Sequence, residues 1–263
     1  MESDPTSESA EPRSTELVRL TYGQDPSQFG LLSRPDGPVR GVVVVIHGGF
    51  WKAQYGVEYA QPLAADLARR GWAAYAPEYR RVGNGGGYPE TFDDVHAAMQ
   101  RLAEPELDLD LSSGVVVIGH SAGGHLALWS AARQRFRRWF EGAVPVRAVV
   151  SQAGVADLAS AHAASLGSAA VEAFVGPPGP RYDRVDPIRQ VPLDVPVWCV
   201  HAPDDDTVPI AQSASYVAAT EAAGGTATLL EVEGGHFGVI DPTSPAWQTQ
   251  LDVLVSLAGP KSH

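Results

Sequence analysis

A single cysteine, Cys199, and two methionines occur among 263 residues. One cysteine allows no intramolecular disulfide, and its place in the apolar run 195–200 reads as a small core residue. Positive charge is also scarce. The 19 Lys and Arg face 31 Asp and Glu, a formal charge of -12, so neither nucleic acid nor an anionic membrane would attract this surface. The densest basic run, Arg133, Arg135, Arg137 and Arg138, follows a helical pattern and is explained by the favourable field at a helix C-terminus. No apolar run approaches the roughly 20 residues that span a bilayer. Residues 1–16 are acidic and rich in Ser and Pro, with neither the basic start nor the apolar centre of a secretory signal. The expectation is a cytoplasmic protein with a disordered acidic tail over 1–16 and one domain over 17–263. No metal-ligand spacing occurs, and neither a metal nor an organic cofactor is expected.

What is present is alternation. Short runs at 17–22 and 29–33, split by a Gly/Asp/Pro turn, suggest an antiparallel hairpin at one edge of a sheet. Continuously apolar, β-branched runs at 41–46, 72–76, 115–118, 146–150, 195–201 and 227–232 read as strands covered on both faces. Helical spacing separates them at 59–70, 93–102, 124–129, 210–223 and 245–257. This order implies a mostly parallel, twisted sheet of about eight strands with helices on both faces. The less regular interval 153–192 is the place for a small insertion over the site; a full cap is not expected.

Chemistry in such a sheet sits beyond the carboxyl ends of the strands. After 115–118 comes Gly119-His120-Ser121-Ala122-Gly123, a serine on a strand-to-helix turn so sharp that glycines must stand two residues to either side. After 195–201 comes Asp204-Asp205-Asp206-Thr207-Val208-Pro209. Its spacing to Val208-Pro209 selects Asp205 as the acid, leaving Asp204 or Asp206 as turn or cap residues unless one of them takes its place. After 227–232 comes Gly234-Gly235-His236, where the imidazole, with an unperturbed pKa of about 6.5, suits a general base. Serine, acid and histidine thus follow in the order Ser121, Asp205, His236. After 41–46 comes His47-Gly48-Gly49-Phe50-Trp51, whose glycine amides, with that of Ala122, would face a developing oxyanion.

With these motifs the chain resembles the α/β-hydrolase superfamily over about 17–257. Within it, it is similar to the arylformamidase (kynurenine formamidase) and small-esterase branch, on His47-Gly48-Gly49-x-Trp51 and the Gly-His-Ser-Ala-Gly elbow. The resemblance implies an α/β-hydrolase fold and a Ser121-His236-Asp205 triad. It also implies an oxyanion hole of Gly48, Gly49 and Ala122 and a small-molecule acyl substrate, N-formyl-L-kynurenine first among them. Phe50, Trp51, Tyr79, Tyr88, His120 and Phe237 are the candidate substrate contacts, and Arg80 or Arg81 a partner for a substrate carboxylate. A short-chain carboxylesterase is the alternative and a non-catalytic ligand-binding homologue the remote one. No nucleic-acid or membrane partner is expected. The oligomeric state is open, a homodimer included.

Overall fold

Alternation of side chains along the central strands decides the layering. In the computed structural model, which describes residues 15–257, β1 (Thr15–Thr21), β2 (Phe29–Pro35), β3 (Val42–Ile46), β4 (Ala73–Pro77), β5 (Val115–His120), β6 (Val146–Gln152), β7 (Val197–His201) and β8 (Ala227–Glu231) form one sheet. Their order is β1-β2-β4-β3-β5-β6-β7-β8. The β1-β2 and β2-β4 pairs are antiparallel, and every pair from β4 to β8 is parallel. The helices are α1 (Gln61–Arg69), α2 (Glu90–Arg101), α3 (Ala122–Ala132), α4 (Leu158–Ala163), α5 (Leu166–Val175), α6 (Tyr182–Val185), α7 (Ala211–Ala222), α8 (Gly235–Gly238) and α9 (Pro245–Leu257).

Val42, Val44, Ile46, Val115 and Val117 face one core with Phe92 and Met99 of α2 and Leu126 and Trp129 of α3. Their neighbours Val43, Val45, Val116 and Ile118 face a second core with Leu63 and Leu67 of α1 and Trp247 and Leu254 of α9. Strands buried on both faces therefore carry no polar alternation, which is why they read as unbroken apolar runs. Of the expected tail, residues 1–14 lie outside the described residues. Thr15 and Glu16, assigned to that tail, instead pair with Pro35 and Arg34 in β1. The helix expected from residue 59 begins as a single tighter turn, Val57–Tyr59, and becomes α-helical from Gln61. There Pro62 is tolerated, because first-turn amides have no intrahelical acceptor to lose. Among the described residues no helix is long and apolar enough to cross a membrane.

The interval between β6 and β7 holds α4, α5 and α6. The residues Gly167, Ser168 and Ala169 at the start of α5 have left-handed backbone angles, with φ of 62°, 60° and 60°. This turn packs against the loop after β3: Lys52 Nζ donates to the Gly167 carbonyl at 3.0 Å, and Trp51 stacks on Phe174 with centroids 4.7 Å apart.

Candidate active site

Ser121 stands between β5 and α3 with φ 55° and ψ -117°, a conformation that L-residues adopt only under constraint. The constraint is visible at the flanking glycines. A Cβ at Gly119 would lie 2.0 Å from the Gly123 carbonyl oxygen, and one at Gly123 would lie 2.2 Å from that of Ile46. Only glycine lets strand and helix approach this closely. The Ser121 amide is anchored by donation to the Gln152 carbonyl at 2.8 Å.

Thirty-one residues apart in sequence, His236 and Asp205 meet: His236 Nδ1 donates to Asp205 Oδ2 at 2.7 Å. The other carboxylate oxygen, Oδ1, accepts the amides of Thr207 and Val208 at 2.8 Å each. A second histidine, His201, places Nε2 at 3.3 Å from Asp205 Oδ2 while donating to the Val208 carbonyl at 2.9 Å; its Nδ1 accepts from the Ser213 hydroxyl at 2.8 Å. Burial alone would raise the Asp205 carboxyl. The hydrogen bonds from His201, His236 and the Val208 amide outweigh it and hold the group well below the usual carboxylate range. Asp204 and Asp206 do not contact His236: Asp204 accepts the Gly235 amide at 3.3 Å, and Asp206 accepts the Thr207 hydroxyl at 3.0 Å.

His120 is fixed as a donor. Its Nε2 donates to the His236 carbonyl at 2.9 Å, and the two rings pack with centroids 4.6 Å apart. Burial, aided by the adjacent His236, pushes the His120 imidazole down to about 3, so it stays neutral and holds His236 in place without trading protons.

The loop after β3 abuts the elbow, since a Cβ at Gly48 would lie 2.7 Å from the His120 carbonyl oxygen and 3.1 Å from Ser121 Cβ. His47 Nδ1 donates to the Gly48 carbonyl at 2.8 Å. Because C=O and N-H of one peptide point opposite ways, turning the Gly48 carbonyl toward His47 turns the Gly49 amide away from it. Neither the Gly49 nor the Ala122 amide has an acceptor among the described residues. Gly49 itself needs φ 111° and sits where a Cβ would meet Tyr55 at 2.3 Å.

His47 is held from behind by a buried charge cluster. Its Nε2 lies 3.1 Å from Glu78 Oε1, which also pairs with Arg81. Glu78 accepts the Tyr79 amide at 2.9 Å and, through Oε2, the Val57 amide at 2.9 Å. Burial opposes ionisation of Glu78, but His47 and Arg81 overcome it and leave the carboxyl lowered. Replacing Glu78 by alanine strands the Arg81 guanidinium, the His47 Nε2 and two amides in the interior. The expected cost is about 3–5 kcal/mol, read as a lowered urea midpoint at pH 7. The gap between wild type and variant should shrink as pH falls below about 4, where the unfolded-state carboxylate protonates and the contribution of a depressed carboxyl is progressively lost.

Ser121 and His236 line one cleft together with Gly48, Gly49, Phe50, Tyr55, Tyr59, His120, Thr207 and Phe237. It holds about 70 Å³ of cavity and opens to solvent. Of the expected substrate contacts, Phe50, His120 and Phe237 line this cleft. Trp51, Tyr79 and Tyr88 are not on this cleft. Trp51 is 1% exposed, pinned by Phe174 and His125. Tyr79 is fully buried, donating its hydroxyl to the His47 carbonyl at 2.7 Å, and Tyr88 packs on Phe92. Neither arginine is free for a substrate carboxylate: Arg80 forks onto Asp94 at 2.8 and 2.7 Å and Arg81 is paired with Glu78. No residue of 153–192 lines the cleft, so the insertion props the loop after β3 and does not roof the site. Sequence reasoning passed over Tyr55, Tyr59 and Thr207, which carry no motif. It also passed over His201, although a histidine at a strand end four residues before Asp205 met the same positional criterion that selected the acid.

Comparison with known proteins gives the following. Residues 33–219 match the BD-FAE family. A probable carboxylic ester hydrolase of Mycobacterium tuberculosis, LipM, is 29% identical over 220 residues, covering 75% of this chain and 50% of the relative; the chain spans half the length of that curated protein. Among solved structures, an inhibited esterase B from Lactobacillus rhamnosis superposes with a TM-score of 0.78 at 25% identity, over 94% of this chain and 86% of the other. A truncated carbohydrate esterase from gut microbiota gives 0.79 at 22% identity over 95% and 99%, a likeness of fold.

Proposed function

Since the chain belongs to the BD-FAE family, an esterase family of the α/β-hydrolase fold, we propose that it hydrolyses carboxylic esters of small acyl groups by nucleophilic catalysis at Ser121. The observation that carries the reading is the 2.7 Å bond between His236 and Asp205 beside a cleft that Ser121 and His236 share. Asp205 keeps the proton on Nδ1 of His236, leaving Nε2 to take the Ser121 proton as Oγ attacks the ester carbonyl. The carbonyl oxygen gains charge and is met by the amides of Gly49 and Ala122, with Gly48 shaping the turn; such donors contribute roughly 3–4 kcal/mol each to the transition state. His236 then protonates the departing alcohol, and water repeats the sequence in reverse on the acyl-serine. These steps ask nothing of a cofactor.

Esters are preferred to formamides because the formamide reading leans on Trp51, whose ring is spent on packing against Phe174. The relatives' names point the same way. The test is kcat/KM for p-nitrophenyl acetate and butyrate beside N-formyl-L-kynurenine. The esters are expected to lead by about two orders of magnitude; a dominant formamide would overturn the preference, and inertness toward all three would overturn the hydrolase reading.

A further inference from the structure

Phe50 forms one wall of the cleft, yet what holds that wall lies outside it. Behind the ring is Gly167, in the left-handed turn that begins α5: a Cβ placed on Gly167 would stand 2.2 Å from Phe50 Cδ1, 2.5 Å from Cε1 and 3.0 Å from Cγ. Gly167 is not among the residues lining the cleft, so the ring is sandwiched between the turn and the space a substrate would fill. The backbone around Phe50 has little room to retreat. Gly49, Phe50 and Trp51 carry φ of 111°, 52° and 54° in succession. Lys52 closes that turn by donating its backbone amide to the Gly49 carbonyl at 2.9 Å, and Trp51 is wedged on Phe174. The two segments are tied directly, since the Lys52 ammonium donates to the Gly167 carbonyl at 3.0 Å.

We propose that Gly167 is a specificity-determining residue of the ester site: by lacking a side chain it lets the Phe50 ring lie back, and this sets the length of ester chain that the cleft admits. The inference rests on the ester-hydrolase reading for its substrate class. Conformation alone does not explain the glycine. Ala169, two residues on, has φ 60° and ψ 31°, almost the angles of Gly167 at 62° and 31°, so an alanine backbone is accommodated in this turn. What Gly167 supplies is the space that the Phe50 ring occupies. An added methyl must push the ring the only way left, into the cleft, and a steric change of one methylene is worth about tenfold or more in discrimination within a tight apolar wall.

The experiment uses the full chain and four proteins: wild type, Gly167→Ala, Phe50→Ala and the double variant. kcat/KM is measured for p-nitrophenyl acetate, butyrate and hexanoate and for methyl, butyl and hexyl acetate, so that both sides of the ester are sampled. Gly167→Ala is expected to steepen the loss with chain length in one of the two series by about tenfold, Phe50→Ala to flatten that series, and the double variant to behave as Phe50→Ala alone. Wild-type slopes in both series for Gly167→Ala, or a double variant that keeps the Gly167→Ala loss, overturn the proposal. Should Gly167→Ala fail to fold, an unchanged slope in Phe50→Ala overturns it equally. A crystal structure of Gly167→Ala reads the same point without turnover. The Phe50 ring moved into the cleft by about 1 Å or more supports it. A ring in its wild-type place, with the 165–169 turn displaced outward, refutes it even if the wild type hydrolyses no ester, an outcome that would count against the ester reading alone.

Discussion

Ser121→Ala is expected to lower kcat for p-nitrophenyl acetate by roughly 10⁵- to 10⁶-fold, the loss seen when the nucleophile of a serine triad is removed, while leaving the fold intact. The two halves of that expectation come from different atoms. The loss is expected because Ser121 alone of the cleft's residues stands on the elbow with a hydroxyl; Thr207, the one other aliphatic hydroxyl lining the cleft, follows Asp205 on the acid loop. Stability depends on the backbone. The elbow's φ of 55° is imposed by the close approach of Gly119 and Gly123 to neighbouring carbonyls and by the Ser121 amide bond to Gln152, none of which involves the hydroxyl. Alanine keeps Cβ and suffers the same strain as serine. Its unfolding free energy from urea titration should therefore match wild type within about 0.5 kcal/mol, and labelling by a fluorophosphonate should vanish. A variant that keeps even a tenth of the wild-type rate would assign the chemistry to another group.

Asp205→Asn should cost about 10⁴-fold in kcat, and the hydrogen bonds say why. Asparagine must choose which of its two ends faces which partner. At Oδ1 the wild-type carboxylate accepts two backbone amides at 2.8 Å, and only the amide oxygen can serve there. The NH2 group is then forced to the Oδ2 side, toward His236 Nδ1 and His201 Nε2, where both rings offer donors in the wild type. His236 must surrender its Nδ1 proton and carry it on Nε2, the tautomer that cannot accept from Ser121. His201 cannot adjust so easily, because its Nε2 proton is already given to Val208 and its Nδ1 accepts from Ser213. The pH dependence has a definite sign. The Asp205 carboxyl is lowered in the fold, so its contribution to stability is whole above the unfolded value of about 3.9 and fades as pH falls below it. The stability gap between Asp205→Asn and wild type should accordingly shrink as pH falls below about 4, as followed by thermal unfolding from pH 5 downward. A gap that widened toward acid would contradict the geometry.

Much of the sheet was legible because burial on both faces leaves only one kind of residue. The runs at 42–46 and 115–118 are apolar throughout since alternate side chains enter opposite cores, and no other environment asks for that. The elbow was legible for a steric reason that is in good part local: a strand turning at once into a helix brings residues 119 and 123, four apart, against each other, and the glycines at both positions announce it. The order of serine, acid and histidine at successive strand ends added the topology. The edges were less readable. Glu16 reads as tail because the stretch 1–16 is acidic and rich in Ser and Pro, but an exposed edge strand also carries polar residues, and Glu16 pairs with Arg34 in β1.

The sequence by itself thus determined the class of fold, the places where chemistry could stand and the types of group standing there. These follow from local sterics and from the periodicity of burial. What only the tertiary structure decided is which way the loop aromatics point. Phe50 and Trp51 are adjacent and equally aromatic, yet the first walls the cleft and the second is in the core. In a loop with three successive positive φ angles neither the period of a helix nor that of a strand applies, so side-chain direction is set by distant contacts. Phe174 and Gly167, more than a hundred residues along the chain, take the space beside Trp51 and yield it beside Phe50.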